Sequence, residues 1–299
     1  MRDLVQVVRV SWPVYLRLGR VSNLPTVWTN VLAGVALSGA SLAPGPLALL
    51  ALALSLFYIG GMYLNDAFDR EIDSRERPER PIPAGLVSAT TVFAIGYGLL
   101  AAGLAALAAE IAWTRQGGFA STILSGLCLA AVIVFYDARH KANPWGPLLM
   151  GLCRVLVYAT AALAVAGQLG NVVLAGAAAL LSYLIGLTYA AKQESLATVK
   201  NLWPLLFLAA PFVYAIPTLA KGGIGAALYL GFLAWVGYAV WLLVRPGRPN
   251  FPRAVVSFIA GISLLDGLLM AGAGAPGAAV WGAGGFGLTL TLQRYVRGT

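Results

Sequence analysis

Runs of about 20 mostly apolar residues follow one another along this 299-residue chain, with only short polar breaks between them. A helix of about that length crosses the ~30 Å hydrocarbon core of a bilayer. Inside hydrocarbon every backbone N–H and C=O must find its partner within the protein, and a spanning helix meets that demand by itself. Candidate spans fall near residues 23–41, 46–65, 88–109, 118–136, 146–167, 171–190, 203–220, 224–244, 254–274 and 276–293. No linker between them is long enough to separate domains, so residues 1–299 read as one all-α, polytopic transmembrane bundle. Residues 1–20 alternate Arg with apolar residues and Trp12, which suits a helix lying at the membrane interface. Residues 272–287 contain seven glycines, which weakens the signal for a regular helix there, although the charge pattern favours a tenth span.

The charges give the topology. The chain is 60% apolar and only 10% charged, far from the balance of a soluble protein. If the spans alternate, 17 of the 20 Lys and Arg residues lie on the side of the N-terminus. The opposite side holds only Arg115 and Lys221, and Arg154 falls inside a span. The side rich in positive charge is the cytoplasmic one, so both termini are expected there, in a bacterial inner membrane. The net charge of +9 is spread over short loops with no contiguous patch, which excludes nucleic acid and points to membrane lipids and an anionic ligand. Cys128 and Cys153 lie inside spans without CxxC spacing, and His140 is the only histidine, so neither a disulfide nor a zinc site is expected. Arg2, Arg9, Arg17 and Arg20 interrupt the first 20 residues, leaving no apolar core for a cleavable signal.

Six of the eleven acidic residues fall between Asp66 and Glu79, directly after an apolar span. Asn65 to Asp69 and Asp69 to Asp73 are i,i+4 steps, and Asp66 to Asp73 is i,i+7, so a helix places one amide and three carboxylates along one face. Such a face repels itself unless a cation sits on it. Hard oxygen donors combined with water and phosphate select Mg²⁺. Asn65, Asp66, Asp69 and Asp73 are therefore the candidate metal ligands, with the three aspartates as the candidate catalytic groups.

Asn65-Asp66-x-x-Asp69-x-x-x-Asp73, followed by Arg77-Pro78-Glu79-Arg80-Pro81-Ile82-Pro83-x-Gly85, resembles the first aspartate-rich motif of the UbiA superfamily of intramembrane prenyltransferases. The resemblance implies a bundle of nine to ten spanning helices around a central cavity. It also implies a Mg²⁺-held prenyl diphosphate donor and transfer of the isoprenoid chain to a lipophilic, usually aromatic, acceptor. A terpene cyclase using the same donor, or a carrier descended from such enzymes, are the alternatives. The family's second aspartate-rich motif would fall between spans six and seven. Here that loop, residues 189–201, has no Asp, and Glu194 is its only acid and the remaining candidate metal ligand. Lys192 and Lys200 in the same loop are candidates to place positive charge on the diphosphate in place of a second ion.

Further candidate diphosphate contacts gather on the same side: Arg75 and Arg80 beside the acidic run, and Tyr136 and Lys141 in Tyr136-Asp137-x-x-His140-Lys141, which resembles the family's Tyr plus Lys/Arg pair. Arg154 lies about two turns into span five, where a charge needs a cavity or a partner. Asn23 and Asn30 share one face of the first span, with Thr26 between them, and Asn23 is a candidate cavity-lining contact. Asp266, at mid-depth in span nine, suits either helix packing or an acceptor-side role.

Overall fold

The computed structural model describes residues 12–140, 143–194, 203–245 and 249–296, and among these it is helical, without strands. The helices are α1 (Trp12–Leu18), α2 (Leu24–Leu37), α3 (Pro44–Phe68), α4 (Arg70–Glu76), α5 (Ala89–Thr114), α6 (Phe119–Arg139), α7 (Gly146–Ala166), α8 (Asn171–Glu194), α9 (Ala210–Ala220), α10 (Gly223–Val244), α11 (Phe251–Gly272) and α12 (Pro276–Leu292). A 3-10 segment, Trp203–Ala209, leads into α9. Local chemistry sets the ends. The Ser88 hydroxyl accepts the N–H of Thr91 at the start of α5, and the Asn250 side chain accepts the N–H of Arg253 at the start of α11. Gly167, with φ +71°, closes α7 in the left-handed conformation that favours glycine.

Eight segments among the described residues are long and apolar enough to cross a membrane: α3, α5, α6, α7, α8, Trp203–Ala220, α10 and α11. The other two expected spans are helices, but shorter. α2 has 14 residues, about 21 Å at 1.5 Å per residue, because the chain turns at Gly39 with φ +73°. α12 has 17 residues. Its glycines do not break it. Two of them give it close packing: a Cβ at Gly282 would stand 2.5 Å from the Cα of Gly267 on α11, and one at Gly285 would stand 2.5 Å from Thr29 on α2. Small residues let helix backbones approach where lipid offers no hydrophobic drive for association. The same device joins α3 to α5, where a Cβ at Gly60 would meet the Gly96 carbonyl oxygen at 2.9 Å.

Two apolar cores result. One fills the space among α2, α3, α5, α6 and α7 around Phe57, Leu64, Leu107 and Leu129. The other joins α7 and α8 to α9 through α11 around Tyr158, Tyr183, Phe232 and Phe258. α2 contacts both, packing on α3, α7, α11 and α12. α1, the described part of the expected interfacial segment, buries Val14 and Leu18 against Tyr63, Ala67, Val87 and Val92 and leaves Trp12 exposed. That contact holds the α1–α2 turn over the end of α3.

Candidate active site

The acidic run keeps the helical register the spacing predicts. α3 passes into α4 through Asp69, whose N–H donates to the Asn65 carbonyl at 3.0 Å, and the Asp73 N–H donates to the Asp69 carbonyl at 2.9 Å. Asn65, Asp66, Asp69 and Asp73 are all buried, between 2% and 8% exposed. Four buried polar groups at the mouth of a membrane bundle need partners, and the fold supplies them from elsewhere in the sequence.

Arg20 comes from the α1–α2 turn. Its backbone sits in the left-handed region, φ 42° and ψ 46°, a conformation costing a non-glycine residue about 1–2 kcal/mol. There its guanidinium donates to Asn65 Oδ1 at 3.2 Å and to Asp66 Oδ1 at 3.1 Å. Burial works against the Arg20 charge, but the Asp66 carboxylate outweighs it and the pKa stands raised above the ordinary value. Arg80 arrives from the Arg-Pro-rich segment, which folds back through bonds from Arg80 N–H to the Arg77 carbonyl and from Leu86 N–H to the Pro81 carbonyl. Its guanidinium donates to Asp73 Oδ2 at 2.7 Å and reaches Asp66 Oδ1 at 3.4 Å. The last turn of α6 closes the group. Asn65 donates its amide to Asp137 Oδ1 at 3.2 Å, and His140 Nε2 lies 3.5 Å from Asp69 Oδ2.

Below this polar mouth an apolar cavity runs between α2, α3, α6 and α7. Phe57, Tyr58, Met62, Leu129, Ile133 and Val157 line it, with Tyr136, Asp137 and Arg154 as its polar points. Tyr136 stacks on His140, with ring centroids 4.9 Å apart. Arg154 is 6% exposed, lies 5.2 Å over the Tyr58 ring and donates to Asn30 Oδ1 at 2.9 Å. Asn30 in turn donates to both oxygens of Asp266, at 3.0 and 2.8 Å. Thr29 and Tyr158 also donate to Asp266, so its buried carboxylate holds α2, α7 and α11 together beside the cavity.

A Mg²⁺ ion typically takes one or two carboxylates and completes an octahedron with water and phosphate oxygens. The cluster of Asp66, Asp69, Asp73, Asp137 and Asn65 is an all-oxygen acidic donor set of that chemistry. Among the described residues no three His, Cys, Asp or Glu side chains converge as in a preformed cage. Asp66 and Asp73 are spanned by arginine instead.

The other expected site residues are spread more widely. Arg75 lies on the exposed face of α4. Asn23 is buried at the start of α2 and accepts from Gln293 at 3.1 Å. Lys192 is exposed and donates to the Asn143 carbonyl at 3.0 Å, at the α6–α7 connection. Lys141 and Lys200 lie outside the described residues, as does the side chain of Glu194.

The UbiA prenyltransferase family model matches residues 26–262, which takes in α2, the acidic mouth and the cavity. The chain belongs to the UbiA prenyltransferase family. Solved UbiA structures share its fold at low identity. A UbiA homolog from Aeropyrum pernix K1 superposes with a TM-score of 0.62 at 21% identity, covering 80% of this chain and 94% of that one. A homolog from Archaeoglobus fulgidus bound to DMAPP and Mg²⁺ gives 0.58 at 17%, covering 84% and 98%. A structure described with the biosynthesis of digeranylgeranylglyceryl phosphate synthase gives 0.60 at 18%, covering 87% and 97%. No curated protein sequence matches the chain.

As a UbiA family member with eight helices among the described residues long and apolar enough to cross a membrane, the protein is an integral membrane protein. Three residues of its site escaped the reading of the sequence. Arg20 reads there as a topology charge, Asp137 as a neighbour of Tyr136, and His140 as too solitary to matter. The i,i+3 step from Asp137 to His140 at the end of a span is the signal that would have found the last two.

Proposed function

We propose that this protein is a Mg²⁺-dependent intramembrane prenyltransferase. It moves an isoprenoid chain from a prenyl diphosphate to a lipophilic, aromatic acceptor and releases diphosphate. The observation that carries this reading is the union of two unlike surfaces: a buried row of carboxylates and arginines opening onto an apolar, aromatic-lined cavity. A prenyl diphosphate has the same division. The Archaeoglobus fulgidus homolog bound to DMAPP and Mg²⁺ supports the donor class.

Asn65, Asp66, Asp69 and Asp73 would hold the ion, which supplies positive charge to the leaving diphosphate. Arg20 and Arg80, paired with carboxylates as the site stands, are placed to turn to the diphosphate oxygens. Breaking the allylic C–O bond leaves a carbocation. The faces of Tyr58, Phe57 and Tyr136 can stabilise it, and the apolar walls exclude the water that would quench it. The acceptor carbon then forms the new C–C bond and its ring loses a proton. The charge bias supports a mouth, and both termini, on the cytoplasmic face of a bacterial inner membrane. The whole chain acts as one unit.

The test is diphosphate release from protein in lipid nanodiscs, with C10 to C20 allylic diphosphates and with or without a lipid extract as acceptor source. Release is expected to need Mg²⁺ and extract, to stop with EDTA and to vanish in Asp69→Asn. Release without extract, yielding a cyclic hydrocarbon, would make the protein a cyclase. No release from folded protein would sink the enzymatic reading and leave a carrier.

A further inference from the structure

We propose that Asp137, on α6, is itself a ligand of the divalent cation, completing from a second helix the carboxylate face of α3 and α4. The proposal rests on the cation of the proposed function.

Four carboxylates gather at this end of the bundle. Asp66 meets Arg20 and Arg80, Asp73 meets Arg80, and Asp69 has His140 beside it. Asp137 alone of the four makes no ion pair among the described residues, although it is only 4% exposed. Its Oδ1 accepts the Asn65 amide, while its Oδ2 is buried without a hydrogen-bond partner among the described residues. A buried carboxylate oxygen with no donor is costly to maintain and calls for a proton, a water or a cation. The surroundings favour a cation. Asn65 ties Asp137 to the helix face that carries Asp69 one turn on, and Asp137 lies at the cavity wall, where a diphosphate head entering from the mouth would pass. Mg²⁺ ordinarily takes one or two carboxylates directly and keeps several waters, so Asp137 can join the ion's direct ligands while other members of the acidic row reach it through water. Absence of a preformed cage is therefore expected of such a site.

A second buried acid provides the contrast. Glu110 on α5 also has two unpartnered oxygens, but it sits near the far end of that helix, away from the acidic run. Burial and lack of a partner are shared by the two; only Asp137 has further carboxylates and the cavity mouth beside it.

The experiment is Mn²⁺ titration of purified protein in nanodiscs, followed by electron paramagnetic resonance, with a non-reacting geranyl thiodiphosphate present. Asp137→Asn keeps the shape of the side chain and is expected to weaken Mn²⁺ binding at least about tenfold. Asp137→Glu should recover part of that loss, and Glu110→Gln should titrate as the parent does. Thermal unfolding without metal checks that each variant is folded. If Asp137→Asn binds Mn²⁺ like the parent, Asp137 carries a proton or a water and the proposal fails alone. If the parent itself binds no Mn²⁺, the proposal and the metal-dependent function both fail.

Discussion

Replacing Asp266 with alanine should cost the bundle about 3 kcal/mol, and the structure says where that comes from. The carboxylate is fully buried and accepts from Thr29, from Tyr158 and, at both of its oxygens, from the Asn30 amide N–H₂. Thr29 keeps alternatives after the substitution, since its hydroxyl also lies 3.2 Å from the Thr26 carbonyl and 3.2 Å from Ser263 Oγ. The Asn30 amide and the Tyr158 hydroxyl are left stranded. Each unsatisfied buried donor costs about 1–3 kcal/mol, so two give roughly 2–6. Hydrogen bonds between membrane helices average nearer 0.6 kcal/mol, which pulls the expectation toward the lower part of that range. Asp266→Asn keeps the volume and one acceptor oxygen and should cost about half as much.

The assay is reversible unfolding in mixed micelles by titration with a denaturing detergent, reading helix content. Ser263→Ala is the control and should change stability by less than about 0.5 kcal/mol, because Thr29 retains its other partners. The reasoning is refuted if Asp266→Ala lies within about 0.5 kcal/mol of the parent, or if Asn proves worse than Ala. Activity supplies a second readout. Asn30 is what anchors Arg154, so a loosened Asn30 should raise the Michaelis constant for the donor in Asp266→Ala.

Arg80→Ala removes the cation spanning Asp66 and Asp73, and donor affinity should fall about tenfold, the equivalent of one charge-assisted hydrogen bond; Arg80→Lys should recover only part of it, since lysine lacks the guanidinium fork. Equilibrium binding of a labelled thiodiphosphate measures both. Met62→Trp fills the cavity between α3 and α6 and should move donor preference toward shorter chains, read from product lengths when C10, C15 and C20 donors compete. Gly60→Val sets a side chain against the Gly96 carbonyl and should destabilise the α3–α5 pair by about 1–3 kcal/mol in the same unfolding assay, with no change in which donor is preferred.

What the sequence made legible was what repeats locally. Apolar length placed the helices within a few residues of their ends, apart from the seventh, where a 3-10 segment precedes α9, and the i,i+4 spacing placed Asn65, Asp69 and Asp73 in one hydrogen-bonded register. What it hid were pairings across long stretches of chain. Arg20 meets Asp66 at a separation of 46 residues, Asn65 meets Asp137 at 72, and Asn30 meets Asp266 at 236. None of these leaves a periodic trace, so Arg20 and Arg154 both present themselves only as charges in need of a reason. The C-terminal glycines weakened the helix signal for a related cause. A glycine's low helix propensity is visible along the chain, but the close approach of Gly282 to Gly267 that makes it useful is not.

The arrangement of charge by depth connects these pairings to the proposed chemistry. At the mouth, arginines from two separate loops are balanced against the carboxylates of α3 and α4, so ligand-free protein need not bury a row of like charges. A diphosphate with its cation brings both signs at once, which lets the same side chains exchange partners while only a small net charge enters the bundle. Deeper, the Arg154–Asn30–Asp266 chain is balanced within itself and fixed across three helices. Between the two layers lie aromatic and aliphatic walls. A donor entering head-up would meet adaptable charge at its diphosphate, an uncharged lining along its chain and a rigid cation beside the Tyr58 ring. Arg154→Gln tests that last element. It keeps an N–H donor on the side chain while removing the charge, so binding of the donor's diphosphate should stay within about twofold of the parent if Arg154 serves only to fix α7 against α2. A loss of tenfold or more, about 1.4 kcal/mol, would place the guanidinium in the electrostatics of the bound donor.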